Sequence, residues 1–192
     1  MELANSRTAQ NLLKAFAGES QARNRYNIAA NIARKEGLQY VANIFEETAT
    51  NEREHAGLFY KHLATLAPSA IEITASYPIV SGDTIAQLTA AYKGENEEWT
   101  MLYPEFARIA KEDGHNEIAR TFEWIAKVEK EHESRFYQLL THVANGTLFV
   151  RNEKTLWRCL DCGYIHEGTS APKACPVCLR PQAFFSPTCG KF

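Results

Sequence analysis

A short motif that places a carboxylate and an imidazole three residues apart occurs twice in this chain, with a spacing of 77 positions. Glu52-Arg53-Glu54-His55 returns as Glu129-Lys130-Glu131-His132. Residues at i and i+3 are neighbours on one face of a helix, so each copy presents both groups side by side. A shorter element repeats about one helix upstream of each copy, where Ala17-Gly18-Glu19 corresponds to Lys93-Gly94-Glu95. The sequence therefore predicts a duplicated set of acids and histidines carried on helices.

Both copies of the motif lie in the middle of an apolar helical stripe. Spacings of three and four residues mark these stripes, whose members are Val41, Phe45, Thr48, Glu52, His55, Phe59 and Leu63, and Ile118, Phe122, Ile125, Glu129, His132, Phe136 and Leu140. The acids and imidazoles should therefore point into a core. Unpaired buried charge is costly, and metal coordination is one of the few ways to keep it there.

Two such pairs, joined by one further Glu from each of two other helices, form the ligand set of a carboxylate-bridged two-metal site in a four-helix bundle. The candidate ligands are Glu19, Glu52, His55, Glu95, Glu98, Glu129 and His132. By the internal symmetry, Glu52 and Glu129 should bridge the ions. Glu19 with His55 would serve one ion, and Glu95 with His132 the other. Oxygen and imidazole ligands suit iron or manganese, and redox work favours iron.

Glu98 breaks the internal symmetry. Tyr26 and Tyr103 are 77 positions apart, like the two motifs, whereas Glu19 and Glu95 are only 76 positions apart. One extra residue must follow Glu95, which predicts a π-bulge near residues 98–103, just before Pro104. As a surplus carboxylate, Glu98 could replace His55 on one iron when that iron is oxidised. The alternative is a solvated residue, or one that contacts the ligands only from outside.

Tyr26 and Tyr103 occupy equivalent places in the two repeats. Tyr26 lies seven residues after Glu19, two turns along the same helix face. Both phenols could donate hydrogen bonds to ligand carboxylates and so orient them. Core packing is the alternative role for each.

The predicted fold is mainly α, a ferritin-like four-helix bundle with one long crossover, followed by a small metal-bound β and loop domain. Tight turns at Gly37 and Gly114 make each helix pair an antiparallel hairpin. One long connection, from Pro68 to Ser81, joins the two hairpins, which is the ferritin-like arrangement. The predicted helices are 5–36, 38–67, 82–112 and 115–145. The predicted domains are 1–146 and 153–192.

Two Cys-x-x-Cys pairs mark the C-terminal domain. Cys159 and Cys162 are followed after twelve residues by Cys175 and Cys178, and this spacing makes a tetrahedral four-thiolate site for zinc or a single iron. From the residues alone, zinc is favoured. A domain below about 40 residues rarely folds without such a staple. Cys189 lies outside both pairs and is interpreted as a spare thiol.

Composition excludes several other classes of protein. The formal net charge of −2 leaves no basic footprint for nucleic acid. The first residues lack a signal-peptide pattern, and no apolar run approaches membrane-spanning length. Cysteines in metal-binding spacing suit a reducing compartment. We therefore expect a cytoplasmic protein that binds neither nucleic acid nor membrane.

The motifs together resemble the rubrerythrin family over nearly the whole chain. The segments that carry the resemblance are 16–26, 52–55, 94–98, 129–132 and 175–185. The resemblance implies iron in the four-cysteine site as well as the diiron pair, and a head-to-tail homodimer. It also implies reduction of hydrogen peroxide to water, with electrons from NAD(P)H through a separate reductase or rubredoxin. Leu179 departs from the glycine that often follows the second Cys pair in rubredoxins.

Two other functions remain open on the sequence. A ferritin-like ferrous iron oxidase or storage protein would share the bundle ligands but would not need the four-cysteine tail. A non-enzymatic module with structural zinc would need the tail alone. The chain has no glycine-rich nucleotide-binding motif, so we expect NAD(P)H to act through a partner protein.

Overall fold

Four long helices form the bundle in a computed structural model, which describes residues 2–188. The α-helices in this range are α1 (Arg7–Lys35), α2 (Gln39–Leu63), α3 (Thr84–Glu97), α4 (Tyr103–Glu112) and α5 (Asn116–Ala144). A π-helical turn, Glu98–Leu102, joins α3 to α4 into one continuous element. Pro104 follows at the start of α4. The predicted π-bulge is therefore confirmed, and it begins at Glu98 itself.

Glycines end the first helix of each hairpin in the same way. Gly37 and Gly114 have φ of 75° and 88°, a left-handed conformation that costs glycine little. The amide after each glycine bonds back to the helix, Leu38 N–H to Ala33 O at 2.8 Å and His115 N–H to Ala110 O at 2.7 Å. These are Schellman motifs, which satisfy carbonyls at the helix end and reverse the chain. The predicted tight turns are confirmed.

The helix starts and one helix end differ by a few residues from the predicted bounds. Ser6 and Asp83 cap α1 and α3 by accepting hydrogen bonds from the amides of Ala9 and Ala86. Their extended backbones place the helix starts after them. The second helix ends at Leu63 and tightens into a 3₁₀ turn at Ala64–Leu66, not at residue 67. Ala67 precedes Pro68 and is extended, because α-helical geometry is disfavoured before a proline, so the helix cannot reach the predicted residue.

Two aromatic clusters fill the bundle on either side of its acidic centre. Tyr26, Phe45 and Phe136 pack together in one cluster, with ring centroids of Phe45 and Phe136 5.1 Å apart. Phe59 and Phe122 pack 5.0 Å apart in the other cluster, beside Tyr103. Each cluster thus takes one phenylalanine from each repeat. The duplicated stripes meet face to face, which brings their central acids and histidines together.

The C-terminal module is a three-stranded antiparallel sheet with the order β2-β1-β3. Its strands are β1 (Val150–Cys159), β2 (Ile165–Ser170) and β3 (Phe185–Thr188). Trp157 and Phe185 are fully buried and form its small core with Cys159 and Cys175. Phe149 packs against this core and against the bundle. No helix within residues 2–188 is long and apolar enough to cross a membrane.

Candidate metal centres

The centre of the bundle brings six of the seven predicted ligands into two overlapping groups. Ligand atoms within each group lie within 4.8 Å of one another. One group is Glu19, Glu52, His55 and Glu129, and the other is Glu52, Glu95, Glu129 and His132. All six side chains are buried, with His55 the most accessible at 7%. Each long helix contributes to this cluster, and Glu52 and Glu129 belong to both groups.

Each imidazole faces one oxygen from both shared carboxylates. His55 Nδ1 lies 2.9 Å from Glu52 Oε2 and 2.9 Å from Glu129 Oε1. His132 Nδ1 lies 3.2 Å from Glu52 Oε1 and 2.7 Å from Glu129 Oε2. The two shared carboxylates therefore divide their oxygens between the imidazoles, as bridging carboxylates do.

One unshared carboxylate completes each group. Glu19 Oε1 is 4.0 Å from His55 Nδ1, and Glu95 Oε2 is 3.6 Å from His132 Nδ1. Bonds of about 2.0–2.2 Å from a transition metal to nitrogen or oxygen put neighbouring ligand atoms about 3–3.5 Å apart. The observed separations scatter around this range, so each group has the size of one coordination shell.

Several buried atoms of the cluster lie close to one another but make no well-directed hydrogen bond within residues 2–188. They are Glu19 Oε2, Glu52 Oε1, Glu95 Oε2, both carboxylate oxygens of Glu129 and His132 Nδ1. Buried polar atoms are normally paired, and each exception needs an explanation such as a bound ion. Carboxylate and imidazole donors aimed at two common points fit a pair of divalent iron ions.

The charges of the cluster act strongly on one another. Burial, followed by the charge of Glu52, raises the pKa of Glu95 to about 8. Burial opposes a charge on His55 and His132, but the carboxylates of Glu129 and Glu52 outweigh it. The pKa of His55 rises to about 9 and that of His132 to about 12. The cluster therefore holds protons that a metal must displace, which is the expected linkage for a site of this kind.

Two tyrosines hold the unshared carboxylates from opposite helices. The Tyr26 hydroxyl donates to Glu95 Oε1, and the Tyr103 hydroxyl donates to Glu19 Oε1. Both phenols are buried. Each bond joins the two repeats, since Tyr26 on α1 reaches Glu95 on α3 and Tyr103 on α4 reaches Glu19 on α1. The structure therefore places both tyrosines where the hydrogen-bonding interpretation requires them.

Glu98 lies outside both ligand groups, at the first position of the π-helical turn. Its side chain is partly buried and lines a cavity beside the cluster. Burial, followed by the charges of Glu95 and Glu129, raises its pKa well above the ordinary value. Glu98 is thus close enough to sense the cluster charges, while His55 occupies the ligand group. Exchange between Glu98 and His55 stays a prediction.

A carboxylate on α5 holds the π-helical turn, and the sequence analysis missed it. Glu133 accepts the Asn96 side-chain amide on Oε1 at 2.9 Å and the Trp99 indole N–H on Oε2 at 2.7 Å. These two donors flank Glu98, so their hydrogen bonds to Glu133 fix the backbone on both sides of Glu98. The signal in the sequence was Trp99, which lies in the segment after Glu95 that contains the extra residue. Only the fold shows that Trp99 pairs with Glu133.

The four cysteines of the module converge on one point. Their sulfur atoms form one group, with Cys159 Sγ 3.7 Å from Cys178 Sγ and Cys162 Sγ 3.5 Å from Cys175 Sγ. Metal–sulfur bonds of about 2.3 Å in a tetrahedron separate the sulfurs by about 3.8 Å. The spacing fits one tetrahedral ion. Cys189 lies outside the described residues.

The two cysteine turns have the same backbone geometry. Gly163 N–H bonds to Cys159 O at 2.9 Å, and Leu179 N–H bonds to Cys175 O at 3.0 Å. Both turns need a positive φ after the second cysteine, which is 79° at Gly163 and 62° at Leu179. Leucine there is strained, because a side chain disfavours the left-handed region by about 1–2 kcal/mol. The missing glycine noted in the sequence thus leaves the turn intact at a cost in stability.

Comparison with known proteins identifies both parts of the chain. A family model described as rubrerythrin matches residues 10–140, and a model described as the rubredoxin-like domain of rubrerythrin matches residues 157–186. The chain belongs to the rubrerythrin family. Rubrerythrin-1 of Clostridium acetobutylicum is 54% identical, and rubrerythrin of Nitratidesulfovibrio vulgaris is 49% identical. Each alignment covers 95% of both chains.

A solved structure supports the rubrerythrin fold. Fully reduced, all-ferrous nigerythrin matches 97% of this chain and 91% of its own, with a TM-score of 0.65 and 30% identity. The predicted family resemblance and fold class are confirmed. This rubrerythrin-family chain is a non-haem diiron oxidoreductase with a carboxylate and histidine site in the bundle and a rubredoxin-like four-cysteine site in the tail.

Proposed function

We propose that this chain is a peroxidase that reduces hydrogen peroxide to water. The overall reaction consumes one peroxide, two electrons and two protons and releases two waters. When bound, an iron pair supplies two electrons together and a four-thiolate iron supplies one at a time. The observation that carries the proposal is the presence of both kinds of site in one chain. Iron storage has no use for the second site.

The chain's own residues have defined roles in this proposal. Glu52 and Glu129 would serve as ligands to both irons, while Glu19 with His55 would hold one iron and Glu95 with His132 the other. The shared oxygens of Glu52 and Glu129 support this assignment. Tyr26 and Tyr103 orient the terminal carboxylates of Glu95 and Glu19. The burial of the whole cluster keeps bulk water away from it.

Glu98 is the reserve ligand of the site in this proposal. It would exchange with His55 as a ligand of one iron, because a carboxylate suits Fe(III) and a neutral imidazole suffices for Fe(II). The Asn96 and Trp99 bonds to Glu133 support this role, since they hold Glu98 at the edge of the cluster. The spectrum of the oxidised site should differ between wild type and Glu98→Gln, while that of the reduced site stays similar.

An NAD(P)H-linked reductase or a rubredoxin would supply the electrons, and iron held by the four cysteines would pass them to the bundle. The half of α5 beyond His132 spans about 20 Å, which is far for fast transfer within one chain. A head-to-tail homodimer would place one module beside its partner's bundle. Full activity of a dilute monomer would contradict this arrangement. We place the protein in the cytoplasm, where reducing conditions keep the four metal-binding thiols intact.

Anaerobic reduction followed by stoichiometric hydrogen peroxide tests the function. Rapid reoxidation of the iron pair, with little oxidative damage to the protein, would support the peroxidase. A much faster response to dioxygen would favour the ferritin-like ferrous oxidase. Loading of ferrous iron far beyond about three ions per chain, the capacity of the two sites, would favour storage.

A further inference from the structure

A cavity of about 270 Å³ lies beside the buried cluster. Glu98 and Tyr103 form part of its wall, and the crossover between α2 and α3 covers it with residues 75–78. The same Tyr103 donates its hydroxyl to Glu19. The cavity wall therefore includes a residue that contacts a predicted metal ligand directly.

The two repeated glycines that precede the unshared acids both border this cavity. Gly18 precedes Glu19, and Gly94 precedes Glu95. A Cβ on Gly94 would meet no atom within 4 Å, and one on Gly18 would meet only Tyr77 Cε1 at 3.7 Å. Packing thus requires neither glycine, although each costs a helix interior about 0.5–1 kcal/mol relative to alanine. Both glycines leave open space next to an unshared carboxylate, that of Glu19 or Glu95.

Tyr77 forms the outer part of the cavity. Its hydroxyl donates to the Lys14 carbonyl oxygen at 2.8 Å, which ties the crossover to α1. Its ring faces Gly18 and lines the cavity together with Pro78. Tyr77 is still 38% exposed, so it stands between solvent and the cavity. The ring is therefore placed to limit what can pass inward.

A second depression on the surface offers no comparable route. It lies between α2 and α5 and includes Asn51, Val128, Arg135 and His132. His132 turns its Nδ1 toward Glu52, Glu95 and Glu129, so its ring stands between this depression and the carboxylates. A small molecule there would meet the imidazole ring of His132 before it could reach the carboxylates behind it.

We propose that small oxidants reach the diiron site through the cavity beneath the crossover, with Gly94 keeping the passage open and Tyr77 limiting the size of the hydroperoxide admitted. This proposal rests on the proposed peroxidase function for its substrate, but not for its route.

Azide, a small anionic iron ligand, tests the route without turnover. Gly94→Leu adds a side chain at the wall of the cavity, and Gly57→Leu is the matched control on the exposed face of α2, where a Cβ also meets nothing within 4 Å. Stopped-flow absorbance should show azide association at least about tenfold slower in Gly94→Leu than in wild type, about 1.4 kcal/mol on the barrier. Gly57→Leu should match wild type. Equal rates in the two leucine variants would overturn the route.

Three further variants keep the test decisive if Gly94→Leu does not fold or load iron. Gly94→Ala should retain its helical content and iron and slow azide in the same direction. Tyr77→Ala should raise the rate with tert-butyl hydroperoxide relative to hydrogen peroxide, while Tyr77→Phe, which keeps the ring, should not. An unchanged ratio in Tyr77→Ala would remove Tyr77 as the size limit. A wild type inert to peroxide would end the proposed function, while the azide rates would still decide the route.

Discussion

The bundle centre draws its ligands from α1, α2, α3 and α5, whereas the four cysteines of the module come from two short turns. Two aromatic clusters enclose the bundle centre, and its six ligands are buried. The module has a core of only a few residues, and two of these are its own ligands Cys159 and Cys175. The bundle can therefore arrange a metal site by packing alone. We expect the module, in contrast, to need its metal in order to fold.

Removal of metal should separate the two regions most strongly. In the whole chain carrying Cys175→Ser and Cys178→Ser, we expect β1, β2 and β3 to lose protection from hydrogen exchange, because the domain is too small to fold unaided. The bundle amides should remain protected, and far-ultraviolet circular dichroism should keep its helical signal. Protected strands in a metal-free module would show that Trp157 and Phe185 suffice as a core.

Removal of a shared ligand should affect the bundle centre more than removal of an unshared one. Glu129 contributes one oxygen to each group, so Glu129→Gln should lose both ions of the pair. Glu19 belongs to one group only, so Glu19→Gln should retain about one ion of the pair. Metal analysis per chain measures the difference. Equal losses in the two variants would contradict the bridging assignment.

The stability of the metal-free bundle should fall as the pH rises from about 5 to 9. Glu95 has a folded pKa of about 8 against an ordinary 4.5, and His55 has about 9 against 6.5. Groups with a raised pKa stabilise the fold below their unfolded pKa and lose this contribution as the pH passes the folded value.

Glu129 does not reverse this trend. Burial opposes its charge, but His132 and His55 lower its pKa to about 2, so its contribution is complete above about pH 4.5. Thermal unfolding of metal-free protein should therefore show a falling midpoint across this range. Iron-loaded protein should show a weaker fall, because metal replaces the protons. A midpoint that rises with pH would contradict the proton-filled cluster.

The smallest expected effect compares the two cysteine turns. Leu179→Gly should stabilise the module by about 1 kcal/mol, because glycine relieves the left-handed strain that leucine carries. The leucine side chain is 79% exposed, so little packing is lost. Denaturant-induced loss of the iron–thiolate colour measures the change. Destabilisation would show that Leu179 makes a contact worth more than its strain.

Much of the fold and of the bundle centre could be predicted, because the repeat constrains several levels of structure at once. The 3.6-residue period of the stripes predicts which face is buried, and the acids within it predict a metal. The one-residue change of offset predicts the π-helical turn, and the structure places it at Glu98–Leu102. Strand β2, in contrast, was not predicted, since His166, Glu167, Gly168 and Thr169 carry no apolar alternation.

The sequence by itself determined the helices, the candidate ligands of both metal centres and the turn that distinguishes Glu98, because each depends on local spacing along the chain. Only the tertiary structure decided which side chains from distant segments contact one another. Examples are the crossed bonds of Tyr26 to Glu95 and of Tyr103 to Glu19, and the closure of Tyr77 over Gly18. Such contacts join distant segments, and their geometry is set by helix packing, which no local pattern records.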